Sequence, residues 1–243
     1  MPITSSDNPL VRRLRAMGRR REPGRVLLEG PRVLKEAIAC SVHLELLVAR
    51  EGSELDFEAP ADRVAVLSGR VFDATAQTVT PQGVLAIACH DTVSAEQAVE
   101  AARRARWPLL VLDGVQDPGN VGAICRSAAG AGAPALMVLD GSADPLSARA
   151  VRASAGNLFR VQLGRGSWAD LGPLSGFGAT AEGGVDLLEA DLRGAAVIAF
   201  GSEGRGLRRS DLQPLSIKMA PGVDSLNVAA AAALIIYEVA RRW

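Results

Sequence analysis

Along the chain, short unbroken apolar runs alternate with stretches in which apolar residues recur every three or four positions. An unbroken run predicts a strand covered on both faces, and the wider spacing predicts an amphipathic helix. Their alternation therefore predicts an α/β protein built on a parallel sheet. The clearest unit spans residues 109–139, LLVLDGVQDPGNVGAICRSAAGAGAPALMVL, which reads as strand, polar Gly/Pro turn, small-residue helix and strand. Asp117 or Asn120 can cap that helix, Pro118 suits its first turn, and Arg126 lies in the second turn on the face of Gly122. Ligands of open α/β sheets bind beyond the carboxyl ends of the strands, so residues 113–120 are the first candidates for chemistry. Arg126, set among Gly122, Ala123, Ala128, Ala129 and Gly130, calls for an acidic or phosphate partner; on this segment alone a structural ion pair is the better account.

Upstream, Leu10, Val11, Leu14 and Met17 cover one side of a short helix. Residues 26–28, 44–48, 64–67 and 84–88 read as strands, and 31–40 and 69–76 as helices, which together make a small α/β unit. Residues 94–106 are alanine-rich with Ser94 as N-cap, and read as a connecting helix or, as the alternative, as the first layer of the larger domain. The expected division is an N-terminal domain over 1–93, the connector over 94–106 and a larger domain over 107–243. In the larger domain helices are expected over 147–155, 168–174 and 225–241, and strands over 158–163, 177–180, 196–200 and 217–219. Asp224 or Ser225 would cap the closing helix. Its run from Ala229 to Ala233 lets another backbone approach closely, across a subunit seam or within the fold.

Charge changes this picture in one place. Net charge is zero, yet Arg12, Arg13, Arg15, Arg19, Arg20, Arg21 and Arg25 face a single local acid, Glu22. The cluster reads either as an arm for a polyanion such as RNA or as a solvated helix face. Cys40, Cys89 and Cys125 form no CxxC pair, which fits a reduced, cytoplasmic setting. The start carries no apolar signal core and no apolar stretch is long enough to span a bilayer, so neither targeting nor membrane insertion is expected. His43 and His90 lack any second ligand at metal spacing, so no metal site is expected.

Three strand ends carry glycine-containing polar loops, residues 113–120, 201–206 and 220–227, and a ligand pocket between them is the economical reading. The glycines of FGSEGRGL do not form the Rossmann fingerprint, because Leu207, Arg208 and Arg209 follow Gly206. No Walker Gly-Lys-Ser/Thr is present, and Ser202 does not sit in a nucleophile elbow.

The motifs NVGAICR (residues 120–126), FGSEGRGL (200–207) and IKMAPGVDSLNVAAAAA (217–233) closely resemble, in order and spacing, those of the SpoU/TrmH family of SPOUT RNA methyltransferases. The start, SSDNPLVRRLRAM with LLEGPRVLKEAI, resembles more loosely the substrate-binding domain that many members carry. The resemblance implies a C-terminal trefoil knot that forms a pocket for S-adenosylmethionine, a homodimer in which each subunit completes the other's site, and methylation of a ribose 2′-hydroxyl. Ribosomal RNA is the preferred substrate on this reading, with tRNA as the alternative; the rival from another class is a catalytically silent RNA-binding protein. Carried over by motif, Asn120, Arg126, Glu203, Ser225 and Asn227 are the catalytic set. Gly201, Ile217, Met219 and Leu226 hold the cofactor. Arg12, Arg13, Arg15, Arg19, Arg20 and Arg32 are the residues expected to bind RNA. Ala229 stands where many members have Ser, and Lys218 where Pro is frequent; neither departure removes a group assigned to chemistry.

Overall fold

The computed structural model describes residues 1–202, 204–209 and 211–242. The chain forms two compact units, one of Met1–Asp91 with Leu146–Phe159, the other of Thr92–Pro145 with Arg160–Trp243.

The first unit opens with α1 (Pro9–Arg19), capped by the Asn8 side chain, and buries Val11, Leu14 and Met17 as the spacing predicted. It continues through β1 (Arg25–Glu29), α2 (Pro31–Ala39), β2 (His43–Arg50), β3 (Ala61–Leu67), α3 (Gly69–Asp73) and β4 (Val84–Cys89). The four strands form a mixed sheet in the order β1-β4-β2-β3. The α1 residues close a core with Leu27, Leu46, Val48, Phe72, Leu85 and Ile87. His43 is exposed and pairs with Asp62, while His90 meets Phe159 edge to face at 5.0 Å between ring centres.

The second unit begins with α4 (Ala95–Ala105), β5 (Leu109–Asp113), α5 (Pro118–Gly130) and β6 (Ala135–Leu139). The chain then contributes α6 (Ala148–Ala153) and a 3₁₀ turn (Asn157–Arg160) before β7 (Gln162–Gly166) and α7 (Trp168–Leu171). It ends with β8 (Gly176–Thr180), β9 (Val185–Asp186), β10 (Val197–Gly201), β11 (Gln213–Ser216) and α8 (Val228–Arg242). The sheet runs β7-β6-β5-β10-β8-β11-β9, with parallel pairing throughout. β5 and β6 are buried at every position, as expected of strands covered on both faces. Between β5 and β10 the strand order reverses, and the crevice beyond their carboxyl ends is where such sheets hold ligands. The Asp117 carboxylate caps α5 by accepting from the Gly119 and Asn120 amides at 2.7 and 3.1 Å. Pro118 occupies the first turn.

Four expectations change. The helix read as a connector is a layer of the second unit: Ala95, Ala98 and Ala102 are buried against Leu109, Val111, Ala135 and Met137. Residues 146–159, expected in the larger domain, pack with the first unit, where α6 lies on β1. The run over 158–163 is not one strand, because Phe159 is buried beside His90 in one unit and Leu163 enters β7 in the other. The short strand expected over 217–219 lies earlier, at Gln213–Ser216, where Leu215 pairs with Ala179. The alternating Ile217 and Met219 that imitate a strand line a cavity instead.

Candidate active site

The loops that leave β5, β10 and β11 at their carboxyl ends converge on two adjoining cavities. The larger, about 1040 Å³, is bounded by the end of β8, by Gly201, Ser202, Gly206 and Leu207, by Ile217 and Met219, and by residues 224–228. The smaller, about 510 Å³, is bounded by residues 113–117, Asn120, Gly204, Arg205 and Arg208. Ser202, Gly206 and Val228 border both. All four residues expected to hold a cofactor, Gly201, Ile217, Met219 and Leu226, line the larger cavity, together with Ser225 and Asn227.

Local chemistry explains why these loops can sit so close. A Cβ at Gly201 would lie 2.3 Å from the Gly206 carbonyl carbon and 2.5 Å from the Leu207 nitrogen, so the returning loop needs glycine there. Ser202 and Gly206 exchange two backbone hydrogen bonds of 3.1 and 2.9 Å. Asn227 caps α8, its Oδ1 accepting from the Ala229 amide at 2.9 Å. The cap is therefore neither Asp224 nor Ser225, and the helix starts at Val228. The same side chain donates from Nδ2 to Asn120 Oδ1 at 3.2 Å, joining the residue before α8 to the first turn of α5, 107 residues away.

Arg126 is exposed on α5 and has no hydrogen-bond or ion-pair partner among the described residues, so the structural ion pair that would explain it is not formed there. Cys125 beside it is inert by burial, which pushes its thiol up to about 12. Glu203 lies outside the described residues.

Sequence reasoning missed one group at this site. Asp113, at the carboxyl end of β5, has a fully buried side chain. It accepts from the Arg208 amide at 2.8 Å, from Arg208 Nε, and from the Trp168 indole N–H at 3.0 Å. An acid closing a fully buried apolar strand is itself a signal, since a buried carboxylate requires donors. Those donors lie 55 and 95 residues away and carry no local mark.

In the first unit the arginine cluster divides. Arg13 is bound to Glu22 and Glu45, Arg25 to Glu45 and Arg21 to Asp91; Arg15 donates to the Ala74 carbonyl. Hydrogen bonds from Arg13, then from Arg25, hold the Glu45 carboxyl below its usual range. Arg12, Arg19, Arg20 and Arg32 are exposed, without a partner among the described residues. Among those residues no group of three or more His, Cys, Asp or Glu side chains could hold a metal, and no helix is long and apolar enough to cross a membrane.

Comparison with known proteins bears on both units. Residues 108–237 match the SpoU rRNA Methylase family and residues 8–86 the MRM3-like substrate binding domain. The chain is 32% identical over an aligned length of 263 positions to an uncharacterized tRNA/rRNA methyltransferase of Synechocystis sp., covering 99% of this chain and 93% of that protein. It is 32% identical over 235 residues to the 23S rRNA (guanosine-2'-O-)-methyltransferase RlmB of Shewanella oneidensis, covering 86% and 93%. The solved structure of an AdoMet-bound rRNA methyltransferase from Sinorhizobium meliloti matches with a TM-score of 0.82 at 24% identity, over 100% of this chain and 98% of that one; this likeness is one of fold.

Proposed function

The chain belongs to the SpoU rRNA methylase family, and from that premise we propose that it transfers a methyl group from S-adenosylmethionine to a ribose 2′-hydroxyl of ribosomal RNA. The observation that carries this reading is the convergence of the three motif-bearing segments on two adjoining cavities, tied by the bond between Asn227 and Asn120. The larger cavity fits the cofactor in size and character: about 1040 Å³ is at the upper end for small-molecule pockets. Ile217, Met219 and Leu226 offer apolar walls, and the glycine-bearing strand ends leave backbone groups open for a nucleoside.

When bound, S-adenosylmethionine supplies an electrophilic methyl on a positively charged sulfur. Gly201, Ile217, Met219 and Leu226 bind and orient it, and the apolar walls exclude water, which favours a step in which charge is cancelled. Arg126 clamps the phosphate next to the target ribose and stabilises the forming oxyanion; a guanidinium with a pKa above about 12 is a poor base. Glu203, or a phosphate oxygen of the RNA, receives the hydroxyl proton. Asn120 and Asn227 hold the two loops in register, and Ser225 faces the cavity beside them. A rate-versus-pH profile tests the proton acceptor: loss of the acidic limb in Glu203→Gln but not in Arg126→Lys supports this role, and its survival in Glu203→Gln removes it.

The C-terminal segment before α8 is threaded as a trefoil knot in this reading, and two copies pair across α8. That helix leaves Leu234 and Tyr237 about half exposed, on the face shared with Ala230. The first unit binds RNA through Arg12, Arg19, Arg20 and Arg32, with Arg15 beside them, while Arg13 serves mainly to hold the fold. On this reading the first unit serves as the substrate-binding domain and the second as the methyltransferase domain. The reaction is cytoplasmic, consistent with three cysteines in no disulfide.

The test is incubation with labelled S-adenosylmethionine and total RNA stripped of methylation, followed by mapping of 2′-O-methyl by resistance to alkaline cleavage. A single labelled ribose in ribosomal RNA is expected. Label confined to tRNA overturns the substrate, and cofactor binding without label on any RNA, assembled ribosomal particles included, overturns the enzymatic reading in favour of an RNA-binding protein.

A further inference from the structure

The carboxyl end of the second unit's sheet is joined by one buried acid. Asp113 ends β5, and its side chain has no solvent exposure, whereas that of Arg208 is 54% exposed. One carboxylate oxygen accepts from Arg208 Nε; the other accepts from the Arg208 amide and the Trp168 indole N–H. The same guanidinium donates from Nη2 to the carbonyl of Asp140, the residue after β6. Arg209 extends the arrangement, with its guanidinium 5.1 Å from the Trp168 ring centre. Asp113 and Arg208 thus connect the ends of β5 and β6, the helix after β7 and the loop after β10.

We propose that Asp113 and Arg208 are positioning residues: together they hold the loop after β10 in the shape that binds S-adenosylmethionine. This inference rests on the methyltransferase reading above. Three observations support it. The Arg208 amide is itself bound to Asp113, so the clamp acts on the backbone adjoining Gly206 and Leu207, which line the larger cavity. Leu207 in turn sits over β8, where a Cβ at Gly178 would come within 2.3 Å of its side chain. Finally, the loop is tied to its own strand by the backbone pair between Ser202 and Gly206 and the close approach to Gly201. These leave the stretch beyond Gly206 to be held from outside.

The chemistry explains the choice of groups. A buried carboxylate accepts several donors at once, and hydrogen bonds to an ionised group are stronger and shorter than neutral ones. Asparagine at 113 would turn an NH₂ group toward donors on one side, and cannot satisfy all three. Arginine spans Asp113 and the Asp140 carbonyl with its planar fork; lysine delivers a single point of charge.

Calorimetric titration of the full-length protein with S-adenosylmethionine, alongside melting curves and initial rates, tests the proposal. For Arg208→Ala the expected result is a tenfold to hundredfold rise in the cofactor Kd and KM, the size of a charged hydrogen bond, with kcat at saturating cofactor close to wild type and a lowered melting temperature, because the buried Asp113 carboxylate loses its charged partner. Arg208→Lys restores part of the affinity. Asp113→Asn, which leaves a poorly matched buried group, also loses affinity and speeds hydrogen exchange at the Arg208 amide. Trp168→Phe keeps an aromatic ring and removes one donor, and shows the smallest change. Unchanged affinity in Arg208→Ala while wild type binds overturns the inference alone. A fall in kcat with unchanged KM overturns it too. Absence of cofactor binding by wild type overturns the functional reading and this inference with it.

Discussion

Arginines occur in two settings in this protein, and the difference lies in where their acids are. In and just after α1, Arg13, Arg21 and Arg25 stand in a segment with one local acid, yet Glu45 and Asp91 come from β2 and the end of the first unit to neutralise them. Arg126, on a helix of small residues, has no such acid among the described residues. Local charge density is thus a poor guide to which arginine is open to a ligand. Where a phosphate is to be bound, a guanidinium left without an internal partner carries its donors free of competition.

The sharpest way to break this contrast is Arg126→Ala. With an exposed side chain and no described partner to lose, the melting temperature is expected to stay unchanged, while methyl transfer falls by about 10²–10³-fold, the cost of losing one oxyanion-stabilising donor. Equal losses in stability and activity would make Arg126 structural.

Next in size is RNA affinity. Replacing Arg12, Arg19, Arg20 and Arg32 together by alanine is expected to weaken binding and flatten its salt dependence, by about 0.7–0.9 in logarithmic slope for each phosphate no longer neutralised. Arg13→Ala is expected to leave that slope alone and lower the melting temperature. A reversed outcome, with Arg13 controlling the slope, would erase the distinction between engaged and open arginines.

Glu45→Gln strips Arg13 and Arg25 of their shared carboxylate and is expected to cost about 1 kcal/mol of stability, the upper range for partly exposed pairs. The carboxyl titrates below its usual 4.5 when folded, so its contribution is complete above that value and lost as pH falls through the folded pKa. Acid melting curves of wild type and Glu45→Gln should therefore converge as pH falls below 4.5 and on through the lowered folded pKa.

The smallest effect concerns α8. A hydrogen bond from Arg241, aided by Arg242, lowers the Glu238 carboxyl to about 2, so Glu238→Gln should be neutral at low pH and mildly destabilising near neutrality. Arg242 also reaches the carbonyls of Leu187 and Leu188; the difference should show in melting of the second unit rather than in transfer rate.

Much of the fold was legible because periodicity reports burial directly. The buried strands β5, β6 and β10 appear as unbroken apolar runs, and Ser94 and Pro118 mark helix starts by the hydrogen bonds or fixed φ they provide. Of the residues that the resemblance assigns to the site, the structure brings Asn120 and Asn227 together and sets Gly201, Ser225 and Leu226 around one cavity. What misled was apolar sequence serving a purpose other than the sheet: Ile217 and Met219 alternate as a strand would, but face a cavity.

By itself, then, the sequence determined most of the element types and the three loops that meet at the site, because each follows from spacing or from a side chain bonding its own neighbours. Only the tertiary structure decided three things: which unit takes residues 146–159, which arginines are already paired, and that Asp113 holds Arg208 and Trp168. Each depends on a partner tens of residues away. A charge or an apolar face carries no record of its distant partner until the chain has folded and burial requires that one be found.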